Sequence, residues 1–216
     1  MADIITINSE SESIIHLCKK DKRLAKVIDM IGPITYSPYG DDPYSFLVHE
    51  IIEQMLSIKA GAKIYARLQD LCNGDINPHV ISHTTNDQLK TIGTSTNKVL
   101  YIRSLTDSII DGSLSLDKLA NLDDKEVIKQ LTRIKGIGLW TAKMYLIFVL
   151  DRPDVLPTED VAFLQSYKWL YKTEDTSHDS IVKRCKKWSP YSSIASRYLY
   201  RALDEGLVKT EFHLYK

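Results

Sequence analysis

The sequence predicts an all-α fold. Apolar residues recur at the 3.6-residue spacing of a helix through most of the 216 residues, and few segments alternate with the period of two that is typical of a strand. Short clusters rich in glycine, proline and asparagine separate these segments and predict turns. Because 44% of the residues are hydrophobic and 26% are charged, the composition is typical of a folded globular protein and excludes disordered, collagen-like and coiled-coil chains.

The first predicted helices lie between residues 10 and 31. The apolar positions there form an interrupted helical face that fits one or two helices, and Gly32 and Pro33 end it. Residues 36–43 are predicted to form a loop. Pro43 then occupies the first turn of the next helix, because its missing N–H group is no loss at that position.

Three further breaks divide the middle of the chain. Residues 54–56 are predicted to form a junction between two helices, with Ser57 capping the N-terminus of the second. Residues 72–78 and 93–97 are predicted to form turns. The helix that follows the last turn carries its apolar face on Val99, Leu100, Ile102 and Leu105.

The C-terminal half begins with a capping box. Residues 123–126 (DDKE) fit this motif, and an amphipathic helix is predicted to continue from them to Lys135-Gly136. The next helix, over residues 140–150, is apolar almost all round and is predicted to lie in the middle of the protein. Prolines in residues 151–158 end it, and a new helix starts at Glu159-Asp160. Two more helices are predicted over residues 179–187 and 190–207.

The cysteines and the N-terminus bear on the compartment. Cys18, Cys72 and Cys185 are an odd number at wide spacing, which favours core thiols over disulfides, zinc or an iron–sulfur cluster. The first residues lack the basic and apolar regions of a signal peptide, and no apolar run reaches the length that spans a bilayer. We therefore expect an intracellular protein that does not enter a membrane.

The net charge of 0 offers no global cationic field of the kind that attracts nucleic acids. The charges are unevenly distributed, however. Residues 125–145 hold five Lys or Arg against one Glu, a net charge of +4, and residues 181–201 hold six and no acid, a net charge of +6. Any contact with DNA should therefore be local, with modest non-specific affinity.

Residues 131–142 (LTRIKGIGLWTA) carry the motif with the most direct chemical meaning. Gly136 and Gly138 lie between two predicted helices, where a tight turn needs positive φ and where bare backbone N–H groups can approach a phosphate closely. The dipole of the second helix points at the same anion. Side chains able to add contacts are Lys135, Thr141 and Lys143. The glycines would also fit a plain corner between two helices with a glycine C-cap.

This region and its surroundings resemble the helix-hairpin-helix DNA glycosylase superfamily. Within it, the sequence is similar to the alkylpurine branch, that of bacterial 3-methyladenine glycosylase II and its compact yeast counterparts. The resemblance covers roughly residues 44–201 and rests on four blocks in the same order, which are residues 46–68 (FLVHEIIEQMLSIKAGAKIYARL), 94–105, 131–160 and 188–201.

The resemblance implies that Asp160 is the catalytic carboxylate. Breaking a C1′–N glycosidic bond builds an oxocarbenium-like sugar, and a carboxylate beside that sugar stabilises the positive charge. Glu159 is adjacent, should point elsewhere and is the second choice. An Asp at a helix N-terminus is also an ordinary capping residue, and both roles can hold at once.

The resemblance also assigns the base pocket to Trp140, Tyr191 and Met144. Bifunctional relatives carry a lysine at the position of Trp140, where its amine forms a Schiff base and the strand is cleaved, so this chain should be monofunctional. Aromatic faces suit an electron-poor alkylated base. Trp140 and Tyr191 would equally fit as core aromatic residues on buried helices.

Two further sets of residues are implied to contact DNA. The junction supplies Gln54, Met55, Leu56 and Ser57, with Met55 as the wedge that fills the gap left by a flipped base. A buried methionine is the equally weighted alternative for Met55. The set implied to bind DNA phosphates comprises Lys135, Gly136, Ile137, Gly138, Thr141, Lys143, Ser95 and Lys98.

The function implied is that of a monofunctional DNA N-glycosylase of base excision repair. It would flip alkylated purines, such as 3-methyladenine and 7-methylguanine, out of duplex DNA and hydrolyse their glycosidic bond. Departures from the family pattern at Met55, Met144 and Ser192 leave open a binder of abasic or damaged DNA with weak or no base excision. A helical protein that binds no nucleic acid and has a coincidental hairpin is the third alternative.

The resemblance further implies one domain over residues 1–216 with two lobes and a cleft between them. Residues of about 44–150, with the hairpin at 134–139, would form the central lobe, and residues 1–40 plus 159–216 the other. The partner would be duplex DNA containing alkylated bases or abasic sites, bound by a monomer. No cofactor or catalytic metal is required, and the hairpin would accommodate a structural monovalent cation. The compartment would be the nucleus in a eukaryote or the cytoplasm in a bacterium.

Overall fold

The computed structural model describes residues 4–39 and 42–214, and most of their regular structure is helical. The all-α prediction is confirmed, with one addition. Two three-residue strands form an antiparallel pair that matches Ile5 with Tyr36 and Ile7 with Ile34. Strands of this length are too short to show the alternation on which strand prediction depends.

The chain forms two compact units. Unit 1 consists of Met1–Pro38 and Asp151–Lys216, and unit 2 of Tyr39–Leu150. Unit 1 begins with β1 (Ile5–Ile7), α1 (Glu12–Lys20), α2 (Lys22–Ile31) and β2 (Ile34–Tyr36). Unit 2 contains α3 (Pro43–Glu53), α4 (Ile58–Leu71), α5 (Pro78–His83), α6 (Asn86–Thr91), α7 (Thr96–Ile110), α8 (Leu116–Leu119), α9 (Asp124–Leu131) and α10 (Leu139–Phe148). Unit 1 resumes with α11 (Val161–Tyr171), α12 (His178–Cys185), a 3₁₀ turn (Lys186–Trp188), α13 (Ser192–Asp204) and a second 3₁₀ turn (Leu207–Lys209).

Local capping explains where the helices of unit 2 start. Pro43 is the first residue of α3, as predicted, and Asp42 before it accepts a hydrogen bond from the Ser45 N–H at 3.0 Å. The predicted cap at Ser57 is also confirmed, since its hydroxyl accepts from the Ala60 N–H at 3.3 Å. The junction between α3 and α4 therefore lies where the sequence predicts it.

The predicted capping box of α9 is only half correct. Asp123 accepts from the Glu126 N–H at 2.8 Å. The reciprocal bond is replaced, because the Glu126 carboxylate binds Lys129 at 3.0 Å and Gln130 at 3.3 Å, one turn further along the helix. Capping by Asp123 alone is enough to start the helix there.

Three predictions of helix extent and orientation are wrong. α9 ends at Leu131 and not at Lys135-Gly136, although Ile134 beyond its end is still buried and so fits the apolar pattern. α11 begins at Val161, which makes Asp160 its N-cap and not a member of its first turn. Leu100 is 44% exposed, so it does not share the buried face of α7. The first two errors are shifts of a few residues at a helix end, which apolar spacing alone does not resolve.

The core of unit 2 holds the end of α3 in place. Leu47, Ile51 and Ile52 on α3 are fully buried, and α3 packs against α4, α7 and α10. Burying one side chain of this size contributes about 1.5–3 kcal/mol. The helix that ends at the junction is therefore firmly anchored along its length.

A buried carboxylate ties the N-terminal helices of unit 1 to its C-terminal half. Asp21 is 2% exposed and accepts hydrogen bonds from the Trp188 indole N–H at 2.9 Å and the Lys187 ammonium at 3.0 Å. The Tyr171 hydroxyl donates to the same carboxylate. Burial alone would raise the pKa of Asp21, but these three donors together outweigh it and hold the pKa below its usual value.

This lowered pKa makes the stability of unit 1 depend on pH. Asp21 stabilises the fold above its unfolded pKa of about 3.9, and the contribution is lost as the pH falls through its folded pKa. We expect Asp21→Asn to lower the free energy of unfolding by about 2 kcal/mol at neutral pH. The difference in the free energy of unfolding between wild type and variant should become smaller in acid. Urea unfolding at neutral and at acidic pH measures this difference. A gap that stays constant with pH would contradict this assignment.

The cysteines are free thiols, with Cys72 and Cys185 buried and Cys18 half-buried. Among residues 4–39 and 42–214, no three His, Cys, Asp or Glu side chains are grouped to hold a metal ion. Within the same ranges, no helix has the length and apolar character needed to cross a membrane.

Candidate nucleic-acid interface

The hairpin between α9 and α10 is a tight turn centred on Gly136. Its φ of +94° lies in the left-handed region, so the prediction of positive φ is confirmed at this position. At Gly138 the same prediction is wrong, because φ −97° and ψ −178° describe extended backbone. A Cβ at Gly136 would lie within 3.0 Å of the Tyr101 ring on α7, whereas a Cβ at Gly138 would meet nothing within 4 Å. The two glycines therefore have different roles. Gly136 permits the turn, and Gly138 leaves the surface beside the turn free of a side chain.

The first turn of α10 is the part of the hairpin best suited to an anion. Gly138 is its N-cap and brings no side chain to the first N–H groups, which have no acceptor within the helix. Lys135 is exposed nearby in the chain and adds positive charge. Two predicted phosphate contacts are not supported by the geometry. The Ile137 N–H donates to the Ile134 carbonyl at 3.0 Å, and Thr141 is only 1% exposed.

Met55 projects from the junction between α3 and α4. It is fully exposed, at 101%, and its φ of +60° is unusual for a residue with a side chain. The alternative of a buried methionine is therefore wrong. Leu56 beside it is 40% exposed. The junction thus presents two neighbouring apolar side chains to solvent.

The remaining predicted contacts at this end of unit 2 make hydrogen bonds within the protein. The Gln54 side-chain N–H donates to the Gly136 carbonyl at 2.8 Å. The Lys98 ammonium donates to the carbonyls of Ile52 at 2.6 Å and Gln54 at 2.7 Å. The hydrogen bonds of Lys98 therefore indicate a role within the protein and do not support the predicted contact with phosphate.

Ser57 and Ser95 are both helix N-caps. The Ser57 hydroxyl accepts from the Ala60 N–H and the Ser95 hydroxyl from the Lys98 N–H, each at 3.3 Å. Both residues are exposed. Capping and contact with a ligand are thus compatible at these two positions.

Asp160 is the N-cap of α11 in unit 1. Its carboxylate accepts from the Phe163 N–H at 2.7 Å, and the residue is 8% exposed. Capping leaves the negative charge of the carboxylate in place, so it does not preclude an electrostatic role. Glu159 is turned towards Thr158, whose hydroxyl donates to it at 2.8 Å. Asp160 is the more enclosed of the two adjacent carboxylates.

The loop before Asp160 is fastened to the start of α13. Asp154 accepts from the Ser192 N–H at 3.1 Å and from the Ser192 hydroxyl at 2.5 Å. The Val155 N–H donates to the Ser193 hydroxyl at 2.9 Å. Ser192 thus has a structural role, and it helps to fix the backbone that leads into α11.

The three predicted pocket residues lie in different settings. Trp140 is half-buried in the first turn of α10, and Met144, one turn later, is only 4% exposed. Tyr191, in unit 1, is the N-cap of α13, and its ring meets His16 edge-on with centroids 5.4 Å apart. Burial and a hydrogen bond to the Glu12 carboxylate raise the pKa of Tyr191, so its hydroxyl stays neutral.

The basic stretch over residues 181–201 is less available than its charge indicates. Arg197 has a side chain only 9% exposed, binds Asp151 at 3.0 Å and stacks on the Tyr36 ring at 3.8 Å. Lys187 is bound to Asp21. The Arg184 guanidinium lies over the Tyr171 ring at 4.9 Å. Three of the six basic residues in this stretch therefore make contacts within unit 1. In the other stretch, Lys143 is half-buried.

Sequence reasoning missed two residues that shape these sites, Tyr101 and Asp154, and it missed the hydrogen bonds that Lys98 makes within the protein. Lys98 carried a signal, because a cation in the first turn of a helix opposes the helix dipole and so calls for another partner. Asp154 and Tyr101 carried none, since their partners are distant in sequence.

Comparison with known proteins gives matches over most of the chain. The family model described as "HhH-GPD superfamily base excision DNA repair protein" matches residues 48–190. A relative, the DNA-3-methyladenine glycosylase 1 of Schizosaccharomyces pombe, is 28% identical over 207 residues, which cover 92% of this chain and 89% of that protein.

Solved structures agree with the sequence matches. The crystal structure of a DNA-3-methyladenine glycosidase from Bacillus halodurans has a TM-score of 0.84 and 32% identity, and covers 97% of each chain. The S. pombe 3-methyladenine DNA glycosylase Mag1 in complex with abasic DNA has a TM-score of 0.82 and 26% identity. That match covers 95% of this chain and 100% of that one.

Proposed function

The chain belongs to the HhH-GPD superfamily of base excision DNA repair proteins, and we propose that it is a monofunctional DNA N-glycosylase that releases alkylated purines. The observation that carries the proposal is Asp160, an enclosed carboxylate at the start of α11, in a family member whose hairpin precedes it in the chain. The relatives named as 3-methyladenine glycosylases support the substrate class.

The chemistry follows from charge. An N-alkylated purine attached to its sugar is a cation, so the C1′–N bond breaks with its electrons going to the base and positive charge growing on the sugar. The Asp160 carboxylate stabilises that charge, and water adds to C1′ and releases a proton to solvent, which leaves a C1′ hydroxyl. Trp140 of α10 and Tyr191 at the start of α13 are each proposed to contact the flipped base, because π faces attract a cationic ring. Trp140 has no amine, so no Schiff base forms and the strand stays intact.

The partner in this proposal is duplex DNA, bound by a monomer. The N–H groups at the start of α10, with Lys135 and Lys143, hold a backbone phosphate. Met55 and Leu56 enter the stack and fill the space of the flipped nucleotide. The reaction uses no cofactor. A structural monovalent cation at the hairpin would bind to backbone carbonyls, and those of Ile134 and Gly136 already accept one hydrogen bond each.

Base release under single-turnover conditions tests the proposal. With duplex DNA carrying N-methylated purines, we expect free methylpurine by chromatography and abasic sites that break only after alkali. Strand breaks without alkali would contradict monofunctional action. Tight binding of abasic DNA with no base release would favour the alternative, a binder of damaged sites. DNA affinity that does not fall with rising salt would contradict DNA binding through phosphates.

A further inference from the structure

Lys98 lies where a lysine is electrostatically unfavourable. It is the third residue of α7, close to the positive end of the helix dipole. It is half-buried, and burial lowers its pKa. Both costs are offset by the carbonyls of Ile52 and Gln54, which its ammonium reaches at 2.6 and 2.7 Å. These carbonyls lie at the end of α3, where helix geometry leaves them without an N–H partner within the helix. Lys98 thus acts as a C-terminal cap for α3.

The same contacts join the junction to the hairpin. Gln54, whose carbonyl accepts from Lys98, donates its side-chain N–H to the Gly136 carbonyl at 2.8 Å. Tyr101 lies one turn after Lys98 on α7, and its ring occupies the space where a side chain at Gly136 would be. One helix therefore contacts both the residue before Met55 and the centre of the phosphate-binding turn.

Met55 needs such support. A non-glycine residue with positive φ costs about 1–2 kcal/mol and persists only where its surroundings fix it. Its own side chain is fully exposed and gives no packing in return. The hydrogen bonds next to Met55 include the one from the Leu56 N–H to the Glu53 carbonyl, at 3.0 Å. They also include those from the Lys98 ammonium to two carbonyls and from the Gln54 side chain to the Gly136 carbonyl.

We infer that Lys98 is a positioning residue that holds Met55 in its projecting conformation and fixes the junction relative to the hairpin, and that it is not a phosphate contact. The inference rests on the proposed function, because it gives the fixed spacing a purpose: the hairpin holds the phosphate while Met55 enters the stack. Loss of Lys98 should therefore impair recognition of a damaged site more than attraction to DNA in general.

Salt-dependent binding separates the two roles. We would compare Lys98→Met with Lys135→Met in the full chain, on undamaged duplex and on duplex with an abasic site. A phosphate contact adds about one unit to the slope of log affinity against log salt. Lys135→Met should lower that slope and weaken both duplexes alike. Lys98→Met should keep the slope and lose about tenfold in preference for the abasic duplex. Equal losses on both duplexes with a reduced slope would overturn the inference.

A measurement without DNA keeps the inference separate from the proposed function. Lys98→Met should speed amide hydrogen exchange at residues 54–57 and 136–138 by about tenfold, with urea unfolding used to subtract any global loss of stability. Lys135→Met should leave these amides unchanged. Lys98→Arg, whose guanidinium can still donate to two carbonyls, should restore slow exchange and abasic preference. Unchanged exchange in Lys98→Met would overturn the positioning role even if bases are released.

Discussion

Replacing Asp160 with Asn is expected to lower the single-turnover rate of base release by at least about 100-fold. The variant keeps a side-chain oxygen that can accept from the Phe163 N–H, now at 2.7 Å, and Asn caps helices as well as Asp does. The fold and DNA affinity should therefore remain near wild type, and only the negative charge beside the developing sugar cation is lost. Quenched-flow release of methylpurine, at protein concentrations that saturate the DNA, measures the chemical step directly.

Two further variants separate charge from capping. Asp160→Ala should lose the rate and also about 0.5–2 kcal/mol of stability, since the cap of α11 is removed. Glu159→Gln should leave the rate within about twofold, because Glu159 is held by Thr158 at 2.8 Å. If Asp160→Asn releases base at the wild-type rate while Glu159→Gln does not, the catalytic assignment passes to Glu159.

The features that the sequence could predict are those that depend on residues close together in the chain. Pro43, Ser57 and Asp123 start helices because a capping oxygen or a missing N–H acts within one turn. Positive φ at Gly136 follows from a short connection between two helices. The candidate site was predicted by resemblance, which assigns a position in the chain and not the environment of its side chain.

The features that sequence could not predict depend on partners distant in the chain. The resemblance assigns Thr141 and Met144 to the candidate site, yet the packing of α10 buries both. Arg197 belongs to a basic stretch but is enclosed by Asp151 and Tyr36. The net charge of a segment therefore overstates the number of cations that can reach a ligand.

Alanine substitutions at the two glycines of the hairpin should affect different properties, stability at Gly136 and DNA affinity at Gly138. Gly136→Ala forces a side chain into the left-handed region at φ +94° and places its Cβ within 3.0 Å of the Tyr101 ring. Together these effects should lower the free energy of unfolding by roughly 2–5 kcal/mol. Gly138→Ala meets no neighbour within 4 Å and needs no unusual φ, so its cost should stay below about 1 kcal/mol.

For the folded proteins, we expect Gly138→Ala to weaken DNA binding more than Gly136→Ala does, which is the reverse of their order in stability. The methyl group of Gly138→Ala projects beside the first N–H groups of α10, where a phosphate must approach closely. The variant should therefore fold normally and bind duplex about tenfold more weakly. Urea unfolding and binding titrations on the same preparations measure both quantities. A Gly138→Ala chain with unchanged affinity would remove the start of α10 from the DNA interface. A Gly136→Ala chain of wild-type stability would show instead that Tyr101 can move aside, and with it the support that α7 gives to the turn.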